Sequence, residues 1–280
     1  MKYSQKNPPH YPLYQASGIN LMRQKRQVLY DVSIAIQSGQ VTGLIGPNSA
    51  GKSSLLEVLT GFLTPQTGTV ALKEKEVARW SSTELAKVVA YMPQENLAHW
   101  PVSVYDYVAL GRIPHLGFEQ KANAQGQAFI ELALQKVDVA HLRYRPVTEL
   151  SGGELSRVCL ARVLAVDAEV ILADEPIAGL DPGQQLSIMQ VLQQEAKAGK
   201  AVVAVVHDLA IAGRFCDSLW LMNKGKIVCS GAPDDVLSKQ NLREVYHINI
   251  KEIATQPRVV MPWSLCDKQD TVIPLSKPDV

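Results

Sequence analysis

An apolar run, Val41 to Ile45, enters the octapeptide Gly46-Pro47-Asn48-Ser49-Ala50-Gly51-Lys52-Ser53, and a helical pattern follows from Lys52 to Gly61. The octapeptide fits G-x-x-x-x-G-K-[ST], a loop that works only between a strand and a helix. Its glycines let the backbone curl so that several N–H groups converge on phosphate oxygens. The helix adds its positive end. Lys52 is placed to reach the β- and γ-phosphates of a nucleotide, and the Ser53 hydroxyl to ligate Mg²⁺. A chain built around such a loop is committed to an α/β architecture.

The rest of the sequence agrees. Val28 to Ile36 reads as a strand ended by Ser38-Gly39-Gln40, and Gly68 to Leu72 and Val88 to Met92 read as further strands. Val104 to about Val139 has helical spacing and many alanines, and Leu155 to Val166 carries apolar residues on a helical period. Val170 to Ala173 and Ala201 to Val206 are buried strands, followed by helices over Gln184 to Ala198 and Asp208 to Phe215. Ser218 to Met222 and Lys226 to Cys229 form a hairpin around Asn223-Lys224-Gly225. Apolar strands alternating with helices predict a sheet covered on both faces. The helical stretch at about 95–155 interrupts that alternation as an inserted lobe. Residues 1–15 are expected to be a loose leader, 16–250 the folded domain and 251–280 a tail without clear pattern.

Composition narrows the partners. Lysine and arginine total 28 against 27 acids, a formal net charge of +1, so no global field calls for nucleic acid. A chain of 280 residues buries enough apolar surface to fold without disulfides. The scattered cysteines, Cys159, Cys216, Cys229 and Cys266, read as free thiols of a reducing compartment. The N-terminal residues lack the apolar core of a secretory signal, and the longest apolar runs are strand-sized. A cytoplasmic protein is expected, and any membrane role would need a partner that spans.

Val170 to Ala173 ends in Asp174-Glu175. Strand tips beside a phosphate loop face the nucleotide crevice. Asp174 is placed to hold Mg²⁺ and Glu175 to orient or deprotonate the attacking water. His207 closes the next inner strand, which should lie beside the first, within reach of the γ-phosphate. A lone histidine there would otherwise be structural.

Leu150-Ser151-Gly152-Gly153-Glu154 opens a helix 23 residues before Asp174. Ser151 suits an N-cap, and two glycines bare the backbone for a phosphate. The order is phosphate loop, Gln94, LSGGE, Asp174-Glu175, Ala178-Gly179-Leu180-Asp181 and His207. From about residue 16 to 250 this resembles the nucleotide-binding subunit of ABC transporters. The resemblance implies a RecA-like P-loop core with an antiparallel β subdomain and an inserted α-helical subdomain. It implies ATP and Mg²⁺ as cofactors, ATP being held by residues 46–54, that is Gly46, Pro47, Asn48, Ser49, Ala50, Gly51, Lys52, Ser53 and Ser54. It implies Ser53, Gln94 and Asp174 around the metal, and Glu175, His207, Lys52 and Gln94 as catalytic residues. It further implies a head-to-tail homodimer, in which Ser151, Gly152, Gly153, Glu154 and Asp181 serve the partner's nucleotide. Three departures stand out: Ser49 and Ser54 replace a usual glycine and threonine, Glu154 replaces a usual glutamine, and Arg23 falls where an adenine-stacking aromatic is common.

Trp80-Ser81-Ser82, Val89 to Gln94 and Val108 to His115 are similar to segments in ATPases of siderophore, haem and cobalamin importers, as are Val236-Leu237, Asn241-Leu242 and Val245-Tyr246. That resemblance implies a separately encoded permease at the inner face of the plasma membrane, and indirectly a periplasmic or lipoprotein substrate-binding protein. Ferric siderophore is the first expectation for the solute, and haem or cobalamin the alternative. A DNA-repair or translation ATPase of the same superfamily would need a long coiled coil, zinc-hook cysteines or a second phosphate loop. The sequence has none of these.

Overall fold

The computed structural model describes residues 12–94, 100–116, 124–255 and 257–266. The chain opens with β1 (Tyr14–Arg23) and β2 (Arg26–Ile36), then β3 (Val41–Ile45), the phosphate loop and α1 (Lys52–Leu59). β4 (Thr67–Leu72), β5 (Lys75–Glu76), α2 (Ser82–Val88) and β6 (Val89–Met92) follow. The helical lobe holds α3 (Val104–Ala109), α4 (Ala124–Lys136) and the start of α5 (Gly152–Val166). Then come β7 (Val170–Ala173), α6 (Pro182–Lys197), β8 (Ala201–Val205), α7 (Leu209–Phe215), β9 (Ser218–Asn223) and β10 (Lys226–Gly231). Two helices, α8 (Pro233–Val236) and α9 (Lys239–Tyr246), precede a last pair of strands, β11 (Ile248–Ile253) and β12 (Val259–Leu265).

The strands sort into two main sheets. The larger runs β10-β9-β3-β8-β7-β6, parallel from β9 to β6 with β10 antiparallel at its edge. The smaller, β2-β1-β4-β5, is antiparallel. β3, β7 and β8 are buried along their whole length because both faces of the larger sheet are covered. The period-two alternation assigns Val41, Ile45, Ile171, Ala173, Val202 and Ala204 to one core, shared with α5, α6 and α7. Leu44, Val170, Leu172, Val203 and Val205 face the other core, where α1 lies between the two sheets. The sequence therefore predicted the architecture correctly, including the antiparallel subdomain and the helical lobe.

Its limits need correction. The loose leader does not reach residue 15: Tyr14 is fully buried in β1, and its hydroxyl donates to the Leu59 carbonyl at the end of α1. Residues 1–11 lie outside the described residues. The tail without pattern begins in a hairpin, in which Ile253 pairs with Val259 and Lys251 with Met261. That hairpin is fastened by buried Val260 and by Arg258, which meets Asp234 and Glu252 at 3.1 Å each. The helical stretch from Val104 is broken: α3 ends at Ala109 and a 3₁₀ turn, Leu110–His115, carries Pro114. Residues 95–99 and 117–123 of the lobe fall outside the described residues. All four cysteines are free thiols.

Candidate nucleotide site

β3, β8, β7 and β6 are consecutive neighbours in the larger sheet and parallel, so their C-terminal ends share one edge. β3 delivers the phosphate loop there, β8 His207, β7 Asp174 and Glu175, and β6 Gln94. Residues scattered over 160 positions of sequence meet by topology alone, as they do at the crevice of open α/β sheets. A cleft of about 610 Å³ opens at this edge. Asn48, Ser49, Gly51, Lys52, Ser53 and Ser54 line one side, and Gln94, Glu175 and His207 the other, with Arg23 and Val28 joining from β1 and β2.

The loop is held open by backbone conformations few residues tolerate. Gly46 sits at φ 153°, and a Cβ there would lie 2.1 Å from the Met222 carbonyl oxygen. Gly51, at φ 106°, caps α1 without offering a side chain to the helix N–H groups. Those donors are therefore left to an anion. Ser49 occupies φ 64°, left-handed backbone that costs an L-residue roughly 1–2 kcal/mol. The strain explains why glycine is common at this place, a reason the motif alone did not supply. Pro47 and Ala50 complete the turn, the Pro47 carbonyl accepting the Ala50 N–H at 3.2 Å.

Lys52 is 6% exposed, and its ammonium donates to the Gly46 and Pro47 carbonyls at 2.8 and 2.9 Å. Burial pushes its pKa below the usual lysine range, while Glu175 and Asp174 push it back. Asp174 is 2% exposed, and its N–H is bonded to the Met92 carbonyl at 2.8 Å. Burial raises its carboxyl pKa above the ordinary aspartate value; the Ser53 hydroxyl beside it lowers it, Glu175 adds to the rise and Lys52 opposes it. Its Oδ1 is buried without a hydrogen-bond partner among the described residues. An orphaned carboxylate oxygen next to a hydroxyl is the donor set of a hard cation, so these residues fit Mg²⁺. No cluster of three His, Cys, Asp or Glu side chains exists among the described residues, so phosphate oxygens and water would complete the shell.

Glu175 follows β7 in left-handed backbone, φ 53°. Its Oε1 meets His207 Nε2 at 2.6 Å. The histidine thus holds a carboxylate in the wall of the cleft that Lys52 and Ser53 also line. Arg23 is half exposed, and Glu57 Oε2 holds its guanidinium at 2.9 Å, with Ser54 Oγ at 3.4 Å.

The remaining predicted residues lie elsewhere. Ser151, Gly152, Gly153, Glu154 and Asp181 do not line the cleft. Ser151 caps α5, its Oγ accepting the Glu154 N–H at 3.3 Å while the Glu154 carboxylate accepts the Ser151 N–H at 2.8 Å. Asp181 caps α6 by accepting the Gln184 N–H at 3.0 Å. Sequence reasoning missed Val28 in the cleft wall and Glu57 as the tether of Arg23. The only available signal for Glu57 was its place in α1, three residues after Ser54 and so on the same helical face.

A second cavity, about 870 Å³ and largely apolar, adjoins the first. It lies between the exit of α1, α2 and the turn after α3, with Phe62, Trp80, Leu85, Tyr91, Leu110 and Pro114 in its walls.

Comparison with known proteins accords with this geometry. A family model described as ABC transporter matches residues 29–178. Hemin import ATP-binding protein HmuV of Rhodococcus jostii is 41% identical over 231 residues, which cover 82% of this chain and 78% of that protein. HmuV of Pseudomonas putida is 38% identical over 243 residues, covering 85% and 94%. Among solved structures, a metal-chelate type ABC transporter in an inward-facing conformation superposes with a TM-score of 0.78 at 22% identity, covering 90% of this chain and 98% of that one. An ATP-binding cassette in its ADP conformation gives 0.73 at 27% identity, covering 84% and 98%.

Proposed function

The chain belongs to the ABC transporter family as an ATP-hydrolysing subunit, and from that premise we propose that it energises the import of haem through a separately encoded permease. The observation that carries haem is the identity of the relatives: proteins 41% and 38% identical over most of their length are named for hemin import. Haem thereby replaces ferric siderophore as the preferred solute, and cobalamin stays behind both. No helix among the described residues is long and apolar enough to cross a membrane.

In this reading the triphosphate lies along the loop from Gly46 to Ser54, with its charge met by Lys52 and the first N–H groups of α1. Ser53, Asp174 and Gln94 would hold Mg²⁺, which when bound offsets negative charge on the β- and γ-phosphates. Glu175, steadied by His207, orients the attacking water and accepts its proton. The guanidinium of Arg23 offers a flat cation on which the base stacks beside Val28. Ser151 and Gly152 complete the site of a second copy, and Asp181 lies between the two copies. The apolar groove receives a cytoplasmic segment of the permease. The Tyr91–Gln94 segment links it to the cleft: Tyr91 and Pro93 border the groove, and Gln94 lines the cleft.

The test is nutritional. A strain lacking this chain should lose growth on haem as sole iron source and keep growth on ferric siderophore. Loss on siderophore with haem use intact would overturn the assignment.

A further inference from the structure

The turn that carries Glu175 is held by α5 and α6, neither of which lines the cleft. Glu175 sits at φ 53°, and strain of that kind persists only where the surroundings over-determine it. Before it, the Asp174 N–H is bonded to the Met92 carbonyl at 2.8 Å; after it, the Ala178 N–H donates back to the Glu175 carbonyl at 3.1 Å. The next residue is Pro176, whose ring fixes φ and removes the N–H, so its backbone can be tied only through the carbonyl. The Ser156 hydroxyl of α5 donates to that carbonyl at 3.2 Å, across 20 positions of sequence. On the far side Gln185 of α6 donates through Nε2 to the Leu180 carbonyl at 3.1 Å. Ile177 and Leu180 are buried, so the segment from Pro176 to Asp181 is clamped between the two helices. Ser156 is itself 6% exposed, with Val158, Cys159 and Leu160 buried after it. A hydroxyl in that place costs desolvation that an alanine would not, and its bond to Pro176 is the compensation.

We propose that Ser156 is a positioning residue for hydrolysis: its hydroxyl fixes the Pro176 carbonyl, and with it the left-handed turn that aims Glu175 into the cleft. Gln185 holds the other end of the same segment. A base acts only within hydrogen-bond reach of the proton it takes. Misplacing a reacting group by about 1 Å, even from a distance, can cost roughly 10²-fold in rate. Ser156 and Gln185 do not line the cleft, so their loss acts on turnover and leaves nucleotide binding alone. The inference rests on the reading of Glu175 as the residue that orients the attacking water.

The test is a mutant cycle on the purified full chain. In Ser156→Ala, kcat for ATP hydrolysis should fall about tenfold to a hundredfold, while KM and the affinity for a fluorescent ATP analogue stay within about twofold. Ser156→Thr keeps the hydroxyl and should recover most of the rate. A residue that only supported the fold would lower the rate in any background, whereas one that acts by aiming Glu175 has nothing left to aim once that carboxylate is gone. Ser156→Ala added to Glu175→Gln should therefore take nothing further from the residual rate. The ATP-dependent dimers of Glu175→Gln should also persist in the double variant. A kcat within about twofold of wild type in Ser156→Ala would overturn the proposal. So would an equal fold loss in both backgrounds, or dimers that vanish when the hydroxyl is removed. Gln185→Met should show the same split between kcat and KM, and an unchanged kcat would strike the second hold. Full activity in Glu175→Gln alone would instead remove the base reading itself, so the two failures are told apart, and the solute carried enters none of these measurements.

Discussion

The glycine-bearing N-termini of α1 and α5 are finished in opposite ways. α1 begins at Gly51, in left-handed backbone and with no side chain returned to its free N–H groups. α5 begins at Ser151, whose reciprocal bonds with Glu154 satisfy its own first turn. The glycines differ too. A Cβ on Gly46 would strike the Met222 carbonyl at 2.1 Å, so the fold itself demands glycine there. A Cβ on Gly152 would meet nothing within 4 Å. Its bareness has no reason inside this chain. The first terminus leaves its donors free for an anion, and the second satisfies its own. Gly153 is required there by Gln184, whose Oε1 a Cβ would meet at 2.1 Å. Under the proposed function the second terminus is the surface that meets a second copy.

That contrast can be broken most severely at Lys52. Lys52→Ala should abolish binding of a fluorescent ATP analogue, a loss of at least about a hundredfold, since it removes a charged donor from a buried phosphate site. Retained tight binding would count against the cradle. Glu175→Gln comes next: turnover should fall by about 10²–10⁴. ATP binding should persist, and ATP-dependent dimers should accumulate in gel filtration. Near wild-type hydrolysis would remove Glu175 from its role. At the other terminus, Gly152→Ala should cut hydrolysis by about tenfold or more while melting temperature and monomer binding hold, because its Cβ finds open space in the chain and a phosphate in the dimer. Ser151→Arg should block turnover in the same manner. An unchanged rate in both would leave the second terminus without a function.

Smaller effects test the buried charge and the strain. Burial raises the Asp174 carboxyl pKa above its unfolded value, so the folded state binds the proton more tightly. The metal-free protein should then lose stability as pH rises from the unfolded pKa through the folded one, and Asp174→Asn should raise its melting temperature at neutral pH. Mg²⁺ with ATP should stabilise wild type and not the variant. The smallest change is Ser49→Gly. Relief of the left-handed backbone should add about 1 kcal/mol, read as a shift in the denaturant midpoint with the slope unchanged.

Much of this was legible beforehand because it is local. A loop motif flanked by an apolar strand and a helix, two acids at a strand tip and a capped LSGGE segment each declare themselves within ten residues. Parallel strands then bring their C-terminal ends together without further information. What escaped is non-local or irregular. β1 was unread because register shifts between Ala16 and Ile19 and between Ile19 and Leu21 break its period of two. The β11–β12 hairpin was unread because most of its residues face solvent and Pro262 interrupts the strand pattern. The Arg23–Glu57 tether joins residues 34 positions apart, which no local pattern declares.

The most direct measurement is a crystal structure of the Glu175→Gln variant grown with ATP and Mg²⁺. The account predicts two copies head to tail, with each triphosphate along residues 46–54, the cation against Ser53 and Asp174, and the γ-phosphate contacted by Ser151 and Gly152 of the partner subunit. Nucleotide bound wholly within one copy, with the two Ser151 hydroxyls far from any phosphate, would contradict it.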